Sequence, residues 1–229
     1  MEISLEQGMV LIAYAVAAVA LAAWRRPYLV SLVGTYALPS ARHPLEARLL
    51  RWALRRARRL PAISSYTGSK VRAEIGSART TVVPLGVNAS EFAAPDPAPA
   101  RDRALVLSVG ELKPRKGLDL VLRAVARLRS EIPDLRYVIV GPCDEASPYV
   151  RQLRRDIEEL ALSDIVTLTG PVSHADLVEW YHRAGLVVMP YREAGGDIEG
   201  FGLVLLEAGA AGTPVVSTRR SGAEQPVRH

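Results

Sequence analysis

The stretch ALVLSVGELKPRKGLDLVLRAVARL, residues 104–128, changes its period halfway along. Ala104 to Val109 is a nearly unbroken apolar run of strand length, whereas Leu118, Val121, Leu122 and Val125 recur at the i, i+3, i+4, i+7 spacing of one helical face. Between them, GELKPRKG carries two glycines, a proline and the cations Lys113, Arg115 and Lys116, the composition of a turn. A strand with no polar alternation, followed by an amphipathic helix, is the unit from which parallel sheets covered on both faces are built.

The alternation continues outward. Strands are expected at 104–109, 136–140 (RYVIV), 165–169 (IVTLT), 186–190 (LVVMP) and 213–218 (TPVVST), with helices near 117–130, 148–161, 174–184 and 202–211. The helix at 174 opens on SHAD, where Ser173 and Asp176 form a capping box, so His174 reads as a surface residue of the first turn and not as a base. Upstream lies a shorter version of the same pattern: helix 9–24, strand 28–33, helix 44–59, strand 61–64, helix 67–75 and strand 80–84. The Pro- and Ala-rich AAPDPAPARD, 93–102, reads as a linker between domains at 1–92 and 103–229.

Composition narrows the possibilities. A chain of 229 residues with 49% apolar and 23% charged side chains builds a packed core, and a net charge of +5 favours anionic partners. The lone Cys143 permits no internal disulfide and no zinc cluster. The uncharged run MVLIAYAVAAVALAAW, 9–24, is shorter than the ~18 residues of a membrane span. Glu2 and Glu6 precede it in place of a positive leader, so it reads as a buried helix.

In a sheet of order 3-2-1-4-5 the first and fourth strands are neighbours, and ligands bind beyond their C-terminal ends. GELKPRKG follows the first strand. YREAGGDIEGFG follows the fourth, its glycines leading into a helix that carries Glu207. One loop supplies fixed cations and the other free amides at a helix N-terminus, an arrangement suited to phosphate. Glu207 is the only charged residue between Gly200 and Thr218, and a carboxylate in so apolar a run needs either solvent or a partner. Vicinal ribose hydroxyls would supply one, and Glu199 is placed to meet a second polyol. A solvated basic turn and an exposed helical glutamate are the alternative readings of the same residues.

The E-x7-E spacing of Glu199 and Glu207 in EGFGLVLLEAGAAGTPVV, together with SVGELKPRKGLDLVLRAVARL and VVPLGVNASEFAA, resembles the family 4 glycosyltransferases, retaining enzymes of the GT-B fold. The similarity runs from about Leu11 to the end. It implies an α/β fold of two Rossmann-like domains with parallel sheets, the N-terminal one incomplete and the C-terminal one lacking its last elements. It implies transfer of a hexose from a nucleotide diphosphate sugar to a hydroxyl acceptor, with configuration retained and with neither metal nor cofactor. By the same resemblance Arg115 and Lys116 bind the donor diphosphate, Glu199 with the Phe201 and Gly202 amides holds the donor sugar, Glu207 binds the ribose, and Gly110 and Gly200 complete the donor-binding set. Arg115, Lys116 and Glu199 are the residues expected to act in the transfer itself.

The variant GGDIEGFG looks most like bacterial mannosyltransferases that use GDP-mannose. Val33 of LVSLVGTY stands where the family usually has histidine, and the family's first strands, its glycine-rich loop and its final elements have no counterpart here, which reads as a fragment. A nucleotide-sugar-binding fragment or subunit, inactive alone, is therefore a second reading. A GT-B epimerase is disfavoured by E-x7-E, and a dinucleotide oxidoreductase by the lack of G-x-G-x-x-G after the first strand of either half.

HPLEARLLRWALRRARRLP, 43–61, places Leu45, Leu49, Trp52 and Ala53 on one helical face and Arg48, Arg51, Arg55 and Arg58 on another. It reads either as a helix covering the sheet or as one lying on an anionic membrane surface, which suits a lipid-linked acceptor as well as a free sugar. The expected location is cytoplasmic, with peripheral contact to the inner face of the membrane. Nucleic acid is disfavoured, because the basic cluster lacks interleaved aromatics and a reading motif.

Overall fold

The computed structural model describes residues 20, 24, 27–39, 43–76 and 79–227. The helix expected at 9–24 lies outside the described residues apart from Ala20 and Trp24. The chain forms two compact units, Met1–Leu85 with the loop Gly195–Phe201, and Gly86–Ala194 with Gly202–His229.

In the first unit, α1 (Pro44–Arg56), β1 (Leu60–Ala62), α2 (Ser65–Ile75) and β2 (Thr80–Val82) follow in order. β1 and β2 pair in parallel, Leu60 opposite Thr80 and Ala62 opposite Val82. The strand expected at 28–33 is reduced to isolated parallel bridges at Leu29 and Leu32. Proline explains the loss. Val30 N–H donates to Arg59 O and Leu32 N–H to Pro61 O, but the return bond between these two would come from the amide that Pro61 lacks. β1 stops at Ala62, not at residue 64, because Ser64 is taken as the N-cap of α2, its hydroxyl accepting from Thr67 N–H at 3.0 Å. The helix accordingly starts two residues earlier than expected.

Leu32, Leu50, Leu54, Leu60, Ala62, Val71 and Ile75 pack into this unit's core together with Ile198. α1 buries Ala47, Leu50, Ala53 and Leu54. Ala53 thus faces the core and not the face of Leu45 and Leu49, which are 64% and 41% exposed. The arginine on Trp52 is Arg56, its guanidinium 4.7 Å from the ring centroid.

The second unit holds α3 (Ala89–Phe92), β3 (Asp102–Val109), α4 (Leu118–Leu128), β4 (Arg136–Val140), α5 (Pro148–Glu159), β5 (Val166–Gly170), α6 (His174–Arg183), β6 (Ala184–Met189), α7 (Leu203–Ala210) and β7 (Val215–Ser217). Its five strands are parallel in the order β5-β4-β3-β6-β7. This is the expected 3-2-1-4-5 order, with Val106 of β3 facing Tyr137 on one side and Leu186 on the other. Side chains alternate along the strands. Leu105, Leu107, Val138 and Val140 pack with Tyr181 of α6 and Leu205 and Ala208 of α7, while Tyr137 and Ile139 pack with Leu122 and Val125 of α4 and Leu153 of α5. Ser173 caps α6 as the SHAD pattern predicts, accepting from Asp176 N–H at 3.2 Å, and His174 is exposed.

Arg101, just before β3, ties the far end of this unit. Its guanidinium donates to the carbonyls of Ala184 and Ala211, at 3.2 and 2.7 Å, and also to Thr213 Oγ1.

Candidate functional site

In the second unit, β3 ends at Val109 and the chain passes through Gly110. Gly141, at the end of β4, lies so close that a Cβ there would stand 2.3 Å from the Gly110 carbonyl oxygen, so the two strand ends meet with no side chain between them. The loop then closes in a 3-10 turn, Pro114–Lys116, and leaves it at Gly117 with φ of 68°. A Cβ at Gly117 would sit 2.2 Å from Pro190 O, which follows β6. The turn after β3 is therefore pressed onto the end of β6, as neighbouring first and fourth strands require.

Lys116 is only 8% exposed. Its Nζ lies 5.0 Å from the centroid of the Tyr191 ring and its chain runs beside Gly110, where a Cβ would come within 3.4 Å of Lys116 Cε. The ammonium is thus folded over the strand end, on an aromatic face that favours a cation and in surroundings of low dielectric that magnify its pull on an anion. The Tyr191 ring also meets Gly202, at which a Cβ would be 3.4 Å from Tyr191 Cε2. Gly202, with φ of 82°, opens α7 without a side-chain cap, and Leu205 N–H bonds Gly202 O at 3.0 Å, so no side chain covers the positive end of this helix dipole. Two anion-favouring groups therefore border one tyrosine ring.

Arg115 and Arg192 are linked through the backbone, Arg192 N–H donating to Arg115 O at 3.0 Å. The Arg192 guanidinium donates to Pro114 O at 3.0 Å and grips both oxygens of Asp119, at 2.9 and 2.8 Å. Tyr149 adds a hydrogen bond to Asp119 Oδ1 at 2.9 Å. Burial, and then the Asp119 charge, hold the Tyr149 phenol well above its ordinary pKa, so it stays a donor.

Glu207, in the second turn of α7, is half-buried. Its Oε2 accepts a hydrogen bond of 2.6 Å from the hydroxyl of the fully buried Tyr181. Burial, reinforced by the neighbouring Glu207, raises the Tyr181 pKa, so the phenol keeps its proton and stays the donor of this bond. Glu207 therefore has a protein partner at one oxygen, which neither sequence reading supplied.

The loop Gly195–Phe201 is held within the first unit. Thr35 Oγ1 accepts from Ile198 N–H at 2.8 Å and bonds Ile198 O at 3.2 Å, while Thr67 Oγ1 donates to Gly200 O at 3.3 Å. A Cβ on Gly200 would approach Gly34 Cα to 2.7 Å. Both chain neighbours of the half-buried Glu199 are thereby fixed, and Phe201 is buried.

Of the residues singled out in the sequence, the second unit gathers Gly110, Arg115, Lys116 and Gly202 at the ends of β3 and β6, with Glu207 deeper in α7. Glu199, Gly200 and Phe201 belong to the first. Sequence reasoning gave no role to Arg192, Asp119, Tyr149, Tyr181 or Thr35. Asp119, an acid one residue into the helix after a cationic loop, was the only legible hint of a charge pair across the strand ends.

Residues 90–229 match the family model described as Glycosyl transferases group 1. This chain belongs to that family. A second model, Glycosyltransferase Family 4, matches residues 9–91. Among relatives of the group 1 chain, the GDP-mannose-dependent alpha-(1-6)-phosphatidylinositol monomannoside mannosyltransferase of Mycolicibacterium smegmatis is 38% identical over 177 residues, covering 72% of this chain and 45% of the relative. The D-inositol 3-phosphate glycosyltransferase of Thermobispora bispora is 36% identical over 163 residues, 66% of this chain and 37% of the relative. The chain thus spans less than half the length of these two curated relatives.

The crystal structure of Anabaena HepE in complex with UDP and glucose superposes with a TM-score of 0.79 at 23% identity, over 96% of this chain and 60% of that one. Sucrose-phosphate synthase from Thermosynechococcus elongatus gives 0.71 at 25% identity, over 87% and 52%. The fold is the α/β GT-B fold of these glycosyltransferases.

Proposed function

We propose that this group 1 chain binds a nucleotide diphosphate sugar and serves transfer of its hexose to a hydroxyl acceptor with the anomeric configuration retained. The observation that carries the reading is Lys116, a buried ammonium folded over the end of β3 on the ring that also borders the uncapped start of α7. Lys116 and Arg115 neutralise the diphosphate, and their charge stabilises it further as it departs, which lowers the barrier for group transfer. The α7 amides bond its oxygens. Glu207 accepts from the ribose hydroxyls, and Glu199, assigned from its place in the E-x7-E run, orients the donor sugar. The relatives named for GDP-mannose support GDP-mannose as donor, and no metal is assigned a part.

The experiment is thermal unfolding of the full chain with GDP, UDP and ADP. A nucleotide at about 100 times its Kd adds ~2.7 kcal/mol of stability. The expected result is a shift with GDP that Lys116→Ala abolishes. An equal absence of shift with all three nucleotides rejects the reading. Incubation with GDP-mannose and a mannoside or inositol-lipid acceptor then separates transfer from binding alone, and the anomeric NMR signal of the product tests retention.

Location at the inner membrane face, with α1 resting on anionic lipid, belongs to the same proposal. It is supported by the exposed Leu45 and Leu49 on a helix rich in arginine. No helix among the described residues is long and apolar enough to cross a membrane.

A further inference from the structure

Tyr181 is out of place as a mere filler of the core. It lies near the end of α6, its ring is fully buried and edge-on to Phe92 with centroids 6.0 Å apart, and the core would accept phenylalanine there equally well. Its hydroxyl reaches across to α7 and ends on one oxygen of Glu207. A buried phenol needs a partner, and any backbone carbonyl would satisfy it. Here it meets a half-buried carboxylate whose other oxygen, Oε1, bonds no described residue.

That asymmetry has a consequence for a ligand. A glutamate on a helix turns about three side-chain bonds, and an exposed one must lose that freedom when it binds. The short bond from Tyr181 to a charged acceptor fixes the carboxylate beforehand, occupies one lone pair of Oε2 and leaves Oε1 open. Two adjacent hydroxyl donors can then be taken by one oriented carboxylate.

We infer that Tyr181 is a positioning residue for nucleotide recognition: through Glu207 it selects ligands that carry a vicinal diol, and it contributes nothing to recognition of the diphosphate. The inference rests on the reading of Glu207 as the ribose acceptor given above.

The test is calorimetric titration of the full chain with GDP, with 2′-deoxy-GDP and with inorganic pyrophosphate, in the parent, Tyr181→Phe, Glu207→Ala and the double variant. Tyr181→Phe should weaken GDP by about two- to tenfold, the size of one lost hydrogen bond. It should leave pyrophosphate unchanged and shrink the preference for GDP over 2′-deoxy-GDP. In the Glu207→Ala background the same change should have no effect on GDP, because the group through which it acts is gone. A fall in GDP and pyrophosphate affinity together assigns Tyr181 to the fold alone and overturns the inference. Weakening by Glu207→Ala without weakening by Tyr181→Phe also overturns it while the reading of Glu207 survives. GDP affinity unchanged in Glu207→Ala removes both.

Discussion

The guanidinium of Arg192 bonds both carboxylate oxygens of Asp119, at 2.9 and 2.8 Å, and so joins the loop after β6 to the first turn of α4. Its Nε holds Pro114 O as well, so one side chain sets the turn that presents Arg115 and Lys116. Arg192→Ala should therefore cost about 1–2 kcal/mol of stability, given that the arginine is partly exposed. It should weaken pyrophosphate binding by more than that loss of stability explains. Arg192→Lys should fail to restore the affinity, because an ammonium cannot make the planar two-point contact. Pyrophosphate titration of both variants decides it: full affinity in Arg192→Lys would show that only the charge matters.

Gly117 makes a sharper demand. Its φ of 68° strains any residue with a Cβ, and that atom would lie 2.2 Å from Pro190 O, a backbone atom that cannot swing away. Gly117→Ala should lose about 2 kcal/mol or more, read as a lower urea midpoint. At Gly76, which also has positive φ but no atom within 4 Å of a Cβ, alanine should cost only the conformational part. Equal losses at the two sites would show that the contact with Pro190 contributes nothing.

The second half of the chain was legible because each signal there is local and repeated. Continuous apolar strands, a 3.6-period face on α4 and the Ser173 cap each specify an element, and the 3-2-1-4-5 order is one that a doubly wound parallel sheet adopts. The first half was less so. A single proline at 61 breaks a ladder, and Ser64 belongs equally to a strand and to a helix start until packing assigns it. Within the site, the cations and glycines were visible in the sequence as composition. Tyr181 was not, because a tyrosine in an amphipathic helix reads as core, and only the tertiary fold shows that its hydroxyl ends on a glutamate 26 residues away.

On α1, exposure is uneven in a way that can be tested. Leu45 and Leu49 are exposed while Leu50 and Leu54 are buried, so substitutions on the first pair leave the core intact. Leu45→Ser with Leu49→Ser should leave the melting temperature within about three degrees, since surface changes usually stay within about 0.5 kcal/mol each. The same variant should reduce co-sedimentation with phosphatidylglycerol vesicles severalfold, and neutral phosphatidylcholine vesicles should retain neither protein. Unchanged sedimentation of the double variant would remove α1 from any membrane contact.

Alkaline pH should unfold this chain in a manner traceable to its buried tyrosines. Burial raises the pKa of Tyr137 and of Tyr181 in the folded protein above the ~10 of an unfolded chain. Below about pH 10 both states hold these protons, and the full contribution of the groups to stability is present. Above it the unfolded chain releases them first. The folded state then binds more protons, and stability falls as pH rises, by about 1.4 kcal/mol per pH unit for each such group. Urea midpoints measured from pH 8.5 to 11 should stay nearly level and then drop. Tyr137→Phe keeps the ring in the core, and Ser108 Oγ, the acceptor of its hydroxyl, retains its own bond to Val188 O. That variant should be somewhat less stable at pH 8.5 and should decline less steeply beyond pH 10, because one of the protons that drives the loss has been removed. Parallel curves for the two proteins would mean that the alkaline transition has another source.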